Sequence, residues 1–319
     1  MSTDYRRKDT PAPARVSIVP DPEMEPVAIT SAAKDDEDLL NRFWVALLVA
    51  FLGVVGTMLT ITGGNGGFQG VLVALLLHTV PGLAIGVVYR LRGLDLILSW
   101  FVGSLAVLIL CSLPMALTSF WHPRVMATLI LLASTAVAVW VACKRPPTLE
   151  ATWVRRTGRA MIGPIGLATA GFLVAVLAAA AQPQSPALYG AALAAGPLWF
   201  LGLGTIVFAV CWAFSSVGGR SWSIVLLATV VPMSQAVMYG TPTVQVAARH
   251  IGLVNLLIAN GGLDREAGIY QAYSGLFASS ALVQQAAGWP DLMMYAAVFG
   301  AVGAGVNCLA VAQLARYFV

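Results

Sequence analysis

The chain has 319 residues, of which 59% are hydrophobic and 10% charged, with a formal net charge of +4. Soluble domains carry roughly 25% charged residues, and the apolar residues here fall in runs long enough to cross a hydrocarbon core of about 30 Å. That excludes a soluble domain and predicts an all-α polytopic protein of the cell (inner) membrane, with membrane lipids around it and no nucleic-acid partner.

Residues 1–41 differ in kind from the rest. "STDYRRKDTPAPAR" and "SAAKDDEDLL" mix charge, Pro and small residues and offer too little apolar surface to offset the entropy of ordering, so a disordered tail is expected. No apolar h-region of a cleavable signal peptide stands before the first span. The apolar runs then predict about eight transmembrane helices: Phe43–Ile61, Phe68–Tyr89, Leu94–Leu117, Val125–Ala142, Ile162–Ala181, Ala191–Ala213, Trp222–Met238 and Leu292–Leu314. The chain divides accordingly into a tail (1–41), a seven-helix region (42–238), an external loop (239–291) and a final span (292–319).

Basic residues set the expected orientation. With the N-terminus inside, 15 of the 18 Lys and Arg fall on inner segments, and only Arg124, Arg249 and Arg265 fall outside. The positive-inside rule therefore puts both termini in the cytoplasm. The basic loop "CKRPPTLEATWVRRTGR" is explained by topology, though such a cluster also suits anionic headgroups. "TGGNGG" between the first two spans lacks the GK[ST] of a phosphate loop and reads as a tight turn. Cys111, Cys143, Cys211 and Cys308 lie in or at the ends of apolar runs without CxxC spacing, so they read as small buried hydrophobes, with neither a disulfide framework nor a metal site expected.

At depth the polar residues are sparse. Asp95 follows Arg90 and Arg92 at the inner edge of the third span and can pair with them. His78 beside Pro81, and Ser234 with Gln235 beside Pro232, are the other polar clusters. An ion-coupled transporter usually holds ionisable groups near mid-membrane, where this chain offers only His78.

The long external loop, 239–291, holds most of the remaining chemistry. Thr241 can cap a helix with Pro242 in its first turn, and Gly261 and Gly262 can end it. At 100° per residue, Val244, Ala247, Ala248, Ile251, Val254 and Ile258 share one face, and Gln245, Arg249, Gly252 and Asn260 the other. A second helix, "SGLFASSALVQQAAG", can start near Ser274 and stop at Gly288. Two amphipathic helices flat in the outer interface are expected; the competing arrangement is a re-entrant hairpin dipping into the bilayer.

The segment "YGTPTVQVAARHIGLVNLLIANGGLDREAGIYQAYSGLFASSALVQQAAG" resembles the extracytoplasmic region of multispan actinobacterial membrane proteins similar to GT-C type, lipid-linked-sugar glycosyltransferases. There an "RH.G" helix is followed by "IY..YPG.F" and a second amphipathic helix. "HTVPGLAIGVVYRLRGLDLILSWFVGSLAVLIL" is similar to their opening spans. Those proteins continue through further spans, so a truncated or degenerate relative is the expectation.

The resemblance implies a sugar taken from a polyprenyl-phosphate carrier on the outer face, with a loop carboxylate deprotonating the acceptor hydroxyl or holding a divalent cation. Between Met238 and His250 this chain has no carboxylate, so Asp264 and Glu266 are the local candidates for the base, with His250 beside them. Arg249 and Arg265 could clamp a carrier phosphate, and Tyr270 and Tyr273 could stack on sugar. Each has a plainer reading: His250 bonded within a helix interface, the arginines paired with Asp264 and Glu266, Asp264 as a helix cap, the tyrosines in an aromatic belt. A fold-back at Gly261 and Gly262 would bring these groups together. Two further function classes stand beside the enzyme: a non-catalytic scaffold or assembly subunit docking on a membrane-protein partner, and a lipid or polysaccharide transporter or flippase.

Overall fold

The computed structural model describes residues 27–63, 67–144, 159–182, 194–213, 217–242, 245–264 and 274–315. The helices are α1 (Val27–Ile61), α2 (Gly67–Leu77), α3 (Val80–Val88), α4 (Gly93–Leu98), a π-helical turn (Ser99–Gly103), α5 (Ser104–Thr118), α6 (Pro123–Lys144), α7 (Arg159–Ala180), α8 (Pro197–Trp212), α9 (Val217–Tyr239), α10 (Gln245–Asn260), α11 (Gly275–Ala287) and α12 (Met293–Ala315), with no strand among the described residues. The protein is an all-α, multi-pass membrane protein.

Among the described residues, seven stretches are long and apolar enough to cross a membrane: Arg42–Ile61, Gly67–Val88, Gly93–Thr118, Pro123–Lys144, Gly163–Ala180, Gly219–Tyr239 and Met293–Ala315. In the place of the remaining expected span stands α8, apolar but only 16 residues long, which at 1.5 Å per residue is about 24 Å of helix. At the N-terminal side, α1 reaches back to Val27, through the "SAAKDDEDLL" assigned from sequence to a disordered tail. Ala, Lys, Glu and Leu are good helix formers, and extending an existing span avoids the cost of nucleation.

Two of the spans are interrupted. Pro81 has no N–H to give to the carbonyl four residues back, and the second span breaks at His78 and Thr79 into α2 and α3. The third span opens into the π-helical turn where α3 crosses it. A Cβ on Gly82 would lie 2.1 Å from the Ser99 carbonyl oxygen and 2.3 Å from that of Trp100, so only glycine allows this approach. Two hydrogen bonds stitch the crossing: Gly82 N–H donates to Ser104 Oγ at 2.8 Å, and Ser99 Oγ donates to Gly82 O at 2.8 Å.

The spans form two packed groups. In the first, α1, α2, α3, α5, α6 and α11 bury Val49, Val73, Leu77, Leu108, Leu131 and Leu282 together. In the second, α7, α8 and α9 bury Ala175, Trp199, Ile206 and Val230. Helix–helix contact in lipid depends on close approach and on hydrogen bonds between spans. Both devices are present: Gly202 sits against Gly171 and Ala175, and Trp199 Nε1 donates to Ser234 Oγ at 2.8 Å while Trp222 Nε1 donates to Thr169 Oγ1 at 3.1 Å. The Ser234 flagged in the sequence is thus a partner of a buried indole.

α12 joins the two groups. Its Gly305 faces Thr229 and Val225 of α9, its Tyr295 packs on the first core, and its Gln313 Nε2 donates to Asp95 Oδ1 of α4 at 2.6 Å. Arg42 donates through Nε to the Val87 carbonyl at 3.0 Å, meeting the negative end of α3. Phe51, Leu110, Leu177 and Leu201 are exposed on the outside of the molecule, the place for large apolar side chains where the solvent is lipid. Cys143 and Cys211 are also exposed, and Cys111 and Cys308 half-buried, so the expectation of four buried cysteines is corrected: apolar helices in lipid turn apolar residues outward as well as inward.

Candidate functional site

The site is assembled from α10, α11 and the helix ends around them. α10 is amphipathic. Ile251, Val254 and Leu257 are buried at i, i+3 and i+6, and Ile258 is half-buried beside them. Arg249, Gly252, Asn255 and Asn260 are exposed on the other side, as is Ala248, which helical periodicity had put on the apolar face. The buried row packs on Ala116 of α5, Ala278 and Ala281 of α11 and Leu292, so α10 lies across α11.

α11 departs from the expected flat interfacial helix. Ala278, Ser279, Ala281, Leu282, Val283, Gln284, Ala286 and Ala287 are all buried, and the helix packs against α2, α5, α6 and α10. Gly275 lies against Ile109, and Gln285 Oε1 accepts from Trp121 Nε1 at 2.8 Å. Ten residues of α11, about 15 Å, therefore run beside the second half of α5 and end at the α5–α6 turn. α11 is thus enclosed by other helices along its length instead of lying with one face open. The physical reason lies in the side chains: Ala and Ser allow four neighbours to close in, where bulkier residues would hold them off. Both polar ends of Gln284 are drawn inward too. Its Nε2 donates to the Pro290 carbonyl at 3.3 Å, and its Oε1 is buried with no hydrogen-bond partner among the described residues.

The ends of both helices follow the glycine signals. Gly261 has φ +63°, its N–H donates to Ile258 O at 3.4 Å, and Gly262 N–H donates to Leu257 O at 3.2 Å, the two bonds of a Schellman cap. The next N–H, Leu263, donates to Ala116 O of α5 at 3.0 Å and pins the chain there. Gly288, φ +69°, ends α11 in the same way, with N–H bonds from Gly288 and Trp289 to Gln285 O and Gln284 O. At its start α10 begins at Gln245; residues 243 and 244, which include part of the expected first turn, lie outside the described residues.

The sequence-derived residues are distributed as follows. Arg249 is exposed in the second turn of α10, and His250 beside it is half-buried with its ring 5.3 Å from that of Phe277 on α11. Asp264 is half-buried beyond the other end of the helix. Ten residues from His250 to Asn260 span about 15 Å of helix, so the reversal at Gly261 leaves Asp264 at the opposite end of α10 from Arg249 and His250. Arg265, Glu266, Tyr270 and Tyr273 lie outside the described residues. Among the described residues no three His, Cys, Asp or Glu side chains are grouped so as to hold a metal ion.

A cluster that periodicity did not reveal lies beneath. His78, at the break between α2 and α3, has ring neighbours in Phe101, Phe299 and Tyr295 at 6.2, 6.0 and 5.8 Å, and its Nε2 lies 3.1 Å from the Tyr295 hydroxyl. Tyr295 stands 217 residues from His78 in sequence; the Pro three residues after His78 was the only local signal. No protein-family model matches the chain, and no curated protein or solved structure matches it.

Proposed function

We propose that this is a GT-C-like membrane protein of cell-envelope polysaccharide or glycolipid synthesis, which takes a sugar from a polyprenyl-phosphate carrier at the α10 end of the bundle. The observation that carries this reading is the pair α10 and α11: an amphipathic helix with Arg249 exposed, laid over a helix inserted among the spans. The lipid tail of a carrier runs along the apolar exterior of the spans, and its phosphate reaches the level of α10. Arg249, with Arg265, supplies the guanidinium for that phosphate. Asp264, half-buried past the end of α10, and Glu266 take the acceptor proton. In this reading the α10 end is extracytoplasmic and both termini are cytoplasmic.

A second reading, a non-catalytic scaffold or a transporter, is favoured by one specific feature: His250 and Asp264 stand at opposite ends of α10. Ligand stabilisation separates the two. A polyprenyl phosphate at a hundred times its Kd should stabilise the purified protein by about 2.7 kcal/mol, and Arg249→Ala with Arg265→Ala should remove that shift. In cells, Asp264→Asn with Glu266→Gln should abolish the glycan product at unchanged expression. Absence of stabilisation by any polyprenyl phosphate would sink the enzyme reading in favour of the second.

A further inference from the structure

α12 is covered on one side only. Ala301, Gly305 and Leu309 are buried, with Gly305 against Thr229 and Val225 of α9, and Gln313 reaches Asp95 on the same flank. At 100° per residue, Gly300, Asn307, Val311 and Leu314 fall within about 60° of one another on the opposite side. All four are exposed, Val311 to 67%. Asn307 is out of place among them. It is the fifteenth of the 23 residues of α12, so about 12 Å of helix separates it from the end at Ala315, and a span of this length puts that position inside the hydrocarbon layer. Gln313, the other amide nearby, is satisfied by Asp95; among the described residues the Asn307 amide has no hydrogen-bond partner.

Lipid tails offer an amide neither donor nor acceptor, so a polar side chain at this depth is satisfied by another polar group across a helix interface. The backbone around Asn307 leaves room for one. A Cβ on Gly300 or on Gly303 would meet nothing within 4 Å, and Gly300 with Ala304 makes the small-xxx-small spacing that lets a second helix come close. The small residues give access; the amide sets what the visitor must carry. It must bring both a donor and an acceptor, since Asn has an NH2 and a carbonyl oxygen, and it must bring them to the depth of Asn307. A second copy of the chain does both. All copies enter the membrane the same way round, so a two-fold axis along the bilayer normal sets the two Asn307 residues at one level, where each Nδ2 can donate to the other Oδ1.

We propose that the lipid-facing side of α12 is the interface of a parallel homodimer, held at its centre by a reciprocal pair of Asn307 amide hydrogen bonds. Gly300 and Ala304 let the two backbones approach on one side of that pair. Val311 and Leu314 pack on their counterparts on the other. The flank of α12 that carries Gly305 and Gln313 stays on α9 and α4, so the dimer forms without disturbing the bundle of either copy. The interface is independent of which lipid the α10 end handles.

Dimerisation of the full chain can be read in lipid vesicles by counting photobleaching steps over a series of protein-to-lipid ratios. The wild type should pass from one step to two as the ratio rises. Asn307→Leu should weaken dimerisation by about tenfold, the scale of interhelical amide bonds in model peptides, and Asn307→Gln, which keeps the amide, should retain most of it. Because Asn307 is exposed, both variants should keep the helicity and thermal midpoint of the monomer. In a cysteine-free background, oxidation should cross-link Val311→Cys to its own copy far faster than Leu110→Cys, an equally lipid-exposed position on α5. Adding Asn307→Leu should slow the Val311→Cys reaction several-fold and leave the Leu110→Cys rate unchanged. Single steps at every ratio, dimerisation untouched by Asn307→Leu, equal cross-linking at the two positions, or a different membrane protein held on α12 in place of a second copy would each overturn the proposal.

Discussion

Ser119 and Arg90 adopt left-handed backbone angles, φ +55° and +58°, at the ends of α5 and α3. A side chain in that region costs roughly 1 kcal/mol relative to glycine. Ser119→Gly should therefore raise the stability of the detergent-solubilised protein by about that amount, read as a higher thermal midpoint; an unchanged or lower midpoint would mean that Ser119 contributes a contact of its own. Trp199 is the opposite case. Its indole donates to Ser234 and its ring is buried, so Trp199→Phe keeps most of the apolar contact and leaves Ser234 bonded only to the Val230 carbonyl. Hydrogen bonds between spans average about 0.6 kcal/mol, and a loss near that value should appear in the same assay. Position in the sequence announced Ser234 as a polar residue at depth, but the tryptophan that satisfies it is 35 residues away, and no local pattern carries such a pairing.

Among the elements, the apolar spans were legible because lipid demands long apolar helices and little else competes with that signal. The glycine stops of α10 and α11 were legible as well, since a left-handed cap asks for Gly by name. Two features were not. The π-helical turn at Ser99–Gly103 has no composition of its own and exists because Gly82 of another helix comes against it. The enclosure of α11 was obscured by its Ala and Ser residues, which read as weakly apolar and interfacial but serve as close-packing surface. Glycine substitutions make the distinction measurable. Gly82→Ala places a methyl 2.1 Å from a carbonyl oxygen and should destabilise by about 3 kcal/mol, the upper range for overpacking. Gly204 of α8 has nothing within 4 Å of its Cβ position, and Gly204→Ala should be neutral or stabilise by about 0.5–1 kcal/mol through helix propensity. Equal effects at the two positions would refute the crossing described at Gly82.

For the molecule as a whole, the distribution of charge yields the most direct test. With 15 of 18 basic residues assigned to one side, cysteines introduced at Asn65 and Gly268 of a cysteine-free chain should react with an impermeant maleimide on intact cells, whereas one at Thr148 should react only after permeabilisation. Labelling of Thr148 on intact cells would invert the orientation, and with it the side on which α10 meets its ligand. Charge bias could reveal sidedness because it acts loop by loop. It could not reveal that the spans divide into two groups joined by α12, because that division rests on contacts between residues such as Gln313 and Asp95 that are distant along the chain.

The placement of α11 has a consequence for synthesis. Its neighbours α2, α5 and α6 are finished by Lys144, and α11 starts at Gly275. At roughly 5–20 residues per second, the intervening stretch takes on the order of ten seconds to emerge. For that interval the first core lacks one wall, and Leu77, Leu108 and Val73 meet lipid or an insertion factor instead of Leu282 and Val283. The N-terminal spans must therefore persist in the bilayer as a loose, incomplete assembly and close only when a late segment returns to them. A ribosome-arrested chain ending after α9 should accordingly be cleaved at its inter-span loops far faster than the full chain, and it should gain protection once arrest is moved beyond Asp291.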